Sequence, residues 1–263
     1  MNDCAASERF EAGIDIGSRA IKLVVIARGR VVRRAVEDTG SDPLAVCRRL
    51  LDGGDFGGLT VTGYGRHLFK DHWPEAVVVS EIKAVAVGAG HLVPGCRTLV
   101  DIGGQDTKAV ALDGAGRVRK FAMNDRCAAG TGQFLEMMAT ALAFSRDEFA
   151  AAAGRAPRAQ KLSSMCSVFA QSEVVSMIAR GASRDEMALG IHQAIASRTA
   201  ALAGGVPVEA PVVFTGGCAR NPILVSLVAE ALKLPVHVPE SPQTVAALGC
   251  ALLGAERSSA NGD

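Results

Sequence analysis

The chain has 263 residues, of which 49% are hydrophobic, and its 28 Lys and Arg nearly balance its 27 Asp and Glu. A net charge of +1 gives no electrostatic basis for binding nucleic acid or an anionic membrane. No stretch approaches the roughly 18 to 20 apolar residues that span a bilayer, and the first ten residues carry no secretion signal. We therefore expect a cytoplasmic protein with a substantial core and neither nucleic acid nor membrane as its partner.

Seven dispersed cysteines are an odd number for a disulfide framework. In a reducing compartment they should be thiols, and any special cysteine should be catalytic or bound to a metal. A lone cysteine is most often a small buried hydrophobe, and Cys47 and Cys250 stand in apolar segments that fit this role.

The first third of the chain alternates strands and helices. A strand ends in Asp15-Ile-Gly-Ser18, and strands at 21–27 and 31–36 follow across a glycine turn. Such a hairpin can hold phosphate through backbone N–H groups while Asp15 reaches a metal ion, although an Asp-x-Gly turn is common in sheets. A helix at 42–51, strands at 59–62 and 76–79, and a helix from Ser80 to about residue 91 complete an α/β pattern.

The same hairpin pattern returns about ninety residues later, after Pro94-Gly95. A strand at 97–102 ends in Asp101-Ile-Gly-Gly-Gln-Asp106, and strands at 107–112 and 117–123 follow. Two copies at the start of successive halves indicate a duplicated fold with two lobes around a nucleotide cleft, each supplying one phosphate loop.

Residues 130 to 205 are predicted to be helical, with helices at 132–143, 145–153, 166–179 and 183–202. Cys127 and Cys166 each precede apolar residues at helical spacing. The pattern predicts that a helix begins at each cysteine, and a helix N-terminus favours a thiolate or an anionic cluster.

The last segment returns to α/β, with a strand at 211–214, a helix from Pro222 to about 232, a short strand at 236–238 and a helix at 243–254. Between the first two lies Thr215-Gly-Gly-Cys218. A strand, a glycine pair and a helix start can contact a nucleotide, and an ordinary structural turn explains them equally well. Residues 258–263 are predicted to be a loose tail.

In order and spacing these glycine motifs resemble the two phosphate motifs and the adenosine motif of the superfamily of acetate kinase, sugar kinases, heat-shock chaperones and actin. Together with the segments at Cys127 and Cys166, the chain resembles the activators (component A) of 2-hydroxyacyl-CoA dehydratases over residues 12 to 254. The related ATP-binding subunits of benzoyl-CoA reductase belong to the same group. The resemblance implies a duplicated actin-like, ribonuclease H-like ATPase fold with lobes at 1–94 plus 240–263 and at 95–239.

The resemblance also implies a function: an ATPase that drives one electron at low potential into a partner acyl-CoA dehydratase or reductase component. It implies a homodimer that holds one [4Fe–4S] cluster at its interface and takes electrons from ferredoxin or flavodoxin. Such a cluster normally takes four thiolates, which two chains would supply through Cys127 and Cys166.

The resemblance implies roles for three side chains in binding Mg²⁺ and in hydrolysing ATP. It implies that Asp15 holds Mg²⁺, that Asp101 lies near Mg²⁺ and the attacking water, and that Gln105 positions that water, since positioning dominates phosphoryl transfer. It implies further contacts to the nucleotide from Gly17, Ser18, Gly103, Gly104, Gly216 and Gly217.

Two positions depart from the family pattern, and a third is a cysteine in the adenosine motif. Arg19 replaces a small hydroxyl residue expected after Asp-x-Gly-Ser, and Val85 stands where relatives often carry histidine. Cys218 is expected to be a packing residue and not a third cluster ligand.

Two other functions remain open: an electron-activating subunit of a benzoyl-CoA reductase complex, and a small-molecule kinase of the same fold whose cysteines belong to the core. A non-enzymatic ATP-binding scaffold is disfavoured because both acids and Gln105 are present.

Overall fold

The computed structural model describes residues 10–162 and 167–260. It divides the chain into two compact units. The first contains the chain up to Leu92 and again from Gln243, and the second is Val93–Pro242. Within the described ranges, no helix is both long and apolar enough to cross a membrane.

The first unit is built on a five-stranded mixed sheet. Its strands are β1 (Phe10–Ile16), β2 (Ala20–Ala27), β3 (Arg30–Asp38), β4 (Gly58–Thr62) and β5 (Val77–Val78), in the order β3-β2-β1-β4-β5. β1, β2 and β3 are antiparallel neighbours, whereas β4 pairs in parallel with β1 and β5 in parallel with β4.

Helices bury both faces of this sheet. They are α1 (Pro43–Leu51), α2 (Arg66–His72), α3 (Glu81–Leu92) and α9 (Val245–Ala260). Alternate residues of β2 point to opposite faces of the sheet. Leu23 therefore belongs to the same hydrophobic cluster as the buried residues of α1, whereas Val24 belongs to the same cluster as those of α9. Glycine permits the close approach of α9 to β1, because a Cβ on Gly13 would lie 2.0 Å from the carbonyl oxygen of Ala247.

The second unit repeats the sheet of the first. Its strands are β6 (Thr98–Ile102), β7 (Thr107–Leu112), β8 (Val118–Asn124), β9 (Val212–Thr215) and β10 (Val236–His237), in the order β10-β9-β6-β7-β8. β6, β7 and β8 are antiparallel, and β9 and β10 are parallel to β6 and β9 respectively. In each unit the register shifts once between the second and third strands. The α/β class and the duplication predicted from the sequence are therefore confirmed.

The units differ in the segment that follows the third strand. In the first unit α1 connects β3 to β4. In the second, β8 and β9 are separated by α4 (Gly132–Ala141), α5 (Arg146–Arg155), α6 (Ser167–Ala179) and α7 (Arg184–Ala203), and α8 (Pro222–Leu232) follows β9. Ser145 and Glu148 cap α5 reciprocally, as the capping-box pattern predicts.

Three sequence predictions about helices were wrong. α4 begins at Gly132, as the predicted range 132–143 has it, with Thr131 as its N-cap, so the expectation that a helix begins at Cys127 itself was wrong. α2 was missed because only Phe69 of its seven residues is buried, which leaves no apolar periodicity to detect. α9 continues to Ala260 beyond its apolar stretch, and its mostly solvated last turn gave no sign of a helix in the sequence.

Candidate functional site

The first loop, defined as residues 15–22, joins β1 to β2 and begins with a buried carboxylate. Asp15 lies directly opposite Lys22 in the strand register, and Lys22 Nζ lies 2.9 Å from Asp15 Oδ2. The turn is closed by the amide of Gly17, which donates to the carbonyl oxygen of Ala20 at 3.1 Å. The other carboxylate oxygen, Asp15 Oδ1, is buried and accepts no hydrogen bond within the described chain. An uncompensated buried carboxylate oxygen is costly, and a hard cation such as Mg²⁺ would satisfy it.

The second loop, residues 101–108, joins β6 to β7 with the same geometry. Asp101 lies opposite Lys108, and Gly103 N donates to Asp106 O at 2.9 Å. Lys108 is 1% exposed, and its ammonium lies 2.7 Å from Asp106 Oδ1 and 3.4 Å from Asp101 Oδ2. Asp101 Oδ1 also accepts a hydrogen bond from Thr215 Oγ1 at 2.7 Å. Asp101 is therefore held on both oxygens, whereas Asp15 is held on one.

The two lysines were missed in the sequence although a signal was present. Each lysine follows its aspartate by seven residues. In a hairpin that turns after Asp-Ile-Gly, this spacing places the ammonium opposite the carboxylate. The repeated Asp and Lys pair therefore marks the loops as strongly as the glycines do.

Backbone donors at the tips of both loops are available to an anion. The amides of Ser18, Gly104 and Gln105 have no acceptor among the described residues. Gln105 and its counterpart Arg19 have exposed side chains. Consecutive amides in such a turn form a concave anion site, which fits the phosphates of a nucleotide.

The glycines predicted for an adenosine contact follow β9. Gly216 has φ +87, and a Cβ there would lie 2.3 Å from Ile102 O, so close packing against β6 by itself requires glycine. Gly63, after β4 of the first unit, has φ +90 and meets Ile16 O in the same way. Gly217 is exposed, with open space around its Cα. Packing within the protein therefore does not require glycine at position 217, whereas close approach of a ligand would favour it.

A buried histidine supports the segment after Gly217. His192 Nε2 lies 2.8 Å from Asn221 Nδ2, and its Nδ1 lies 2.8 Å from Ala188 O. A neutral ring that donates from Nδ1 and accepts at Nε2 satisfies both partners. Burial lowers the pKa of His192, which favours this neutral form. No local sequence pattern marks this histidine, so it was not predicted.

The cysteine loop, residues 124–131, is held by its own hydrogen bonds. Asn124 Nδ2 donates to Cys127 O at 2.9 Å, and Asn124 Oδ1 accepts from Cys127 N at 3.3 Å. Thr131 Oγ1 donates to Ala128 O at 2.6 Å. The thiol of Cys127 is exposed while its backbone is fixed.

Three hydrogen bonds join the cysteine loop and α4 to the second loop. Gly132 N donates to Gly103 O and Gln133 N to Gly104 O, both at 2.9 Å. Thr107 Oγ1 donates to Gly130 O at 2.7 Å. The first turn of α4 thus uses two of its four unsatisfied amides to bind the loop that begins at Asp101.

The other described cysteines are buried. Burial raises the pKa of Cys47 and Cys218 to about 12 and that of Cys96 to about 11, and it raises the pKa of Cys250 well above its usual value. These four are protonated thiols, so Cys127 is the exposed cysteine of the described part. The burial of Cys218 against α4 supports its expected packing role. Cys166 lies outside the described residues.

Val85, at the position where histidine was expected, is 1% exposed within α3 and is part of the core. Its apolar side chain cannot transfer or hold a proton. Arg19 O accepts a hydrogen bond from Thr39 N at 3.1 Å, and its side chain is exposed.

Comparison with known proteins decides the family. Residues 12–254 match the BadF/BadG/BcrA/BcrD ATPase family. The protein belongs to this ATPase family.

Two curated relatives cover nearly the whole chain. The activator of lactoyl-CoA dehydratase from Anaerotignum propionicum is 42% identical over 256 residues, covering 94% of this chain and 98% of the relative. A subunit of benzoyl-CoA reductase from Thauera aromatica is 31% identical over 269 residues, covering 94% and 93%. The family resemblance inferred from the sequence is thereby confirmed.

A solved structure matches the fold. The activator of the 2-hydroxyisocaproyl-CoA dehydratase from Clostridium difficile, solved with bound ADPNP, superposes with a TM-score of 0.89 at 35% identity and covers 96% of each chain. The predicted actin-like ATPase fold and the prediction of an ATPase are confirmed. The roles of individual site residues in this ATPase remain predictions.

Proposed function

We propose that this ATPase activates an acyl-CoA dehydratase by ATP-driven one-electron transfer. The observation that carries the proposal is the set of hydrogen bonds that joins the exposed-cysteine loop to the second loop. A nucleotide phosphate bound at the second loop would then be connected to Cys127 through a few hydrogen bonds. The dehydratase partner is supported by the relatives described above, whose names all refer to CoA thioesters.

Asp15, Asp101 and Gln105 are the proposed catalytic groups of ATP hydrolysis. Asp15 would hold Mg²⁺ with the buried oxygen that lacks a donor, while Lys22 offsets the charge on the other oxygen. Asp101 and Gln105 position the attacking water. The rate enhancement then comes mainly from positioning and charge stabilisation.

The nucleotide is held mainly by backbone groups at the loop tips and after β9. The exposed or partly exposed glycines let the chain approach phosphate and adenosine closely, and Ser18 adds a hydroxyl. The proposed binding residues are Gly17, Ser18, Gly103, Gly104, Gly216 and Gly217.

Cys127 and Cys166 are the proposed ligands of one [4Fe–4S] cluster shared by two copies of this chain. A [4Fe–4S] cluster normally takes four thiolates, and two chains would supply them through these two cysteines. The exposed Cys127 fits a ligand shared between subunits. A bound cluster supplies one-electron chemistry, with reduced ferredoxin or flavodoxin as donor and the dehydratase component as acceptor.

The second loop transmits the nucleotide state to Cys127. Gly103 O and Gly104 O each accept from the first turn of α4, so a shift of these carbonyls on loss of the γ-phosphate displaces Gly132 and Gln133. Gly130, bonded to Thr107, moves with them. This displacement changes the position of Cys127 without breaking the core beneath it.

A second candidate function is the electron-activating component of a benzoyl-CoA reductase complex, which the 31% identity to the Thauera aromatica reductase favours. Affinity purification under anaerobic conditions separates the two. Tightly bound, non-identical subunits favour the reductase complex, whereas a homodimer that binds a dehydratase only during turnover favours the activator.

The test of the proposed function is anaerobic purification with iron analysis. We expect a brown protein with about four irons per dimer. Cys127→Ala and Cys166→Ala should each lose the cluster and keep nucleotide binding, whereas the matched control Cys218→Ala should keep the iron because its thiol is buried. A colourless, iron-free wild type would contradict the proposal and favour the small-molecule kinase instead.

A further inference from the structure

Arg198, on α7, reaches the cysteine loop through its guanidinium. Its Nη1 donates to Ala129 O at 2.8 Å and lies 3.8 Å from Cys127 Sγ. Its aliphatic stem packs beside Gly130, where an added Cβ would meet Arg198 Cβ and Cδ at 3.9 Å. One guanidinium therefore contacts both the backbone of the loop and its sulfur.

α7 gives this arginine a rigid base. Ile195 and Thr199, on either side of Arg198, are 0% and 1% exposed, and the helix contributes Met187, Ile191 and Ile195 to the main core of the second unit. A side chain on such a helix has a defined origin, so its charged end is held in place relative to the loop.

We propose that Arg198 is a positioning residue that fixes Cys127 Sγ and raises the reduction potential of the cluster that this sulfur would ligate. The inference rests on the proposed function, since it assumes that Cys127 is a cluster ligand. N–H···S hydrogen bonds and nearby charge are among the factors that set the potentials of iron–sulfur centres.

The sign follows from charge. One electron from the reduced ferredoxin or flavodoxin adds one negative charge beside Cys127 Sγ, while this chain forms or breaks no bond and moves no proton. The positive guanidinium stabilises the more negative, reduced state. Arg198 therefore makes reduction by the donor easier, and the second loop can change this effect by moving Cys127 relative to α7.

The test compares Arg198→Met with wild type in an anaerobic redox titration followed by electron paramagnetic resonance. At a fixed poised potential the ratio of reduced to oxidised protein should fall about tenfold in Arg198→Met, the size of one charge-assisted hydrogen bond. A tenfold change corresponds to about 59 mV for a one-electron couple. Arg198→Lys, which keeps the charge, should lie between the two.

Arg117→Met is the matched control. Arg117 is an exposed arginine before β8, paired with Asp113 at 2.8 Å, and Asn124 stands at the far end of that seven-residue strand. At about 3.3 Å per residue the two ends are roughly 20 Å apart. The same loss of charge there should leave the titration unchanged.

Equal midpoints in wild type, Arg198→Met and Arg117→Met, with iron retained, would overturn the inference and leave the proposed function standing. If Arg198→Met loses iron, Arg198→Gln decides, since its amide can still donate to Ala129 O: an iron-loaded Arg198→Gln with the wild-type midpoint also overturns it. An iron-free wild type would overturn both the inference and the proposed function.

Discussion

The two sheet repeats share a scaffold and differ in what binds the carbonyl oxygen of the loop glycine. In the first repeat Gly17 O accepts from Thr39 Oγ1 at 2.7 Å, directly after β3. In the second, Gly103 O accepts from Gly132 N, which follows β8 only after the whole cysteine loop. The cysteine loop is thus inserted between the third strand and the residue that binds the carbonyl oxygen of Gly103.

The two sheets are alike although these connections differ. Both repeats keep the Asp and Lys pair, the turn bond from the loop glycine and a positive-φ glycine after the fourth strand. In the first, the loop carbonyl is bound by the residue directly after β3. In the second, the corresponding bond leads to an exposed thiol.

The largest effect expected from this asymmetry is on hydrolysis, at Gln105 and its counterpart Arg19. Gln105→Ala should lower kcat about 100-fold, since one oriented hydrogen-bonding group is worth that much in a transition state. The dissociation constant of ATP should change less than about threefold, because the loop amides still bind phosphate. Steady-state kinetics and calorimetry measure both quantities.

Arg19→Ala is the control, and its kcat should stay within about threefold of wild type. Equal losses of hydrolysis and binding in Gln105→Ala would mean that Gln105 is only structural.

A smaller effect is expected on the connection to Cys127. Thr107→Val removes the donor to Gly130 O and should cost about 1 to 2 kcal/mol of unfolding free energy. In cluster-free protein it should also reduce the difference in Cys127 alkylation rate between the ADP and ATP-analogue states, since two of the three connecting hydrogen bonds remain. Mass spectrometry of the Cys127 peptide measures the rate.

Thr39→Val removes the corresponding bond of the first repeat and should cost similar stability without altering Cys127 alkylation. A reduction of the nucleotide effect in both variants would show that the two repeats are not distinguished by these bonds.

The smallest effect concerns the pH dependence of unfolding. His192 has a pKa below its ordinary 6.5, so below that pH the unfolded chain binds a proton that the folded chain does not. Stability should therefore fall as the pH is lowered through 6.5 and below, and this contribution should be absent in His192→Gln.

Urea midpoints of both proteins, measured across that range, test the sign. The other described histidines, two of which are His67 and His237, are exposed. An unchanged slope in His192→Gln would mean that the pH dependence arises elsewhere.

Local patterns were enough to predict most of the fold. Strands of alternating or fully apolar residues, glycine turns and capping boxes are short-range signals, and β7 and α8 appear with the predicted bounds. α2 and the end of α9 were missed because their residues are mostly polar and solvated. The predicted range 132–143 has the observed start of α4, and only the expectation that a helix begins at Cys127 was wrong, because the small residues around Gly130 suit a loop as well as a helix.

The sequence by itself determined the family and the duplication and predicted the two acids, since each depends on a motif that is contiguous in the chain. Only the tertiary structure decided that Asp15 keeps one oxygen without a donor, that Cys127 contacts Arg198, and that α4 binds the second loop. These contacts join residues that lie far apart in sequence. Their geometry is set by packing of α7 and β6, which no local pattern encodes.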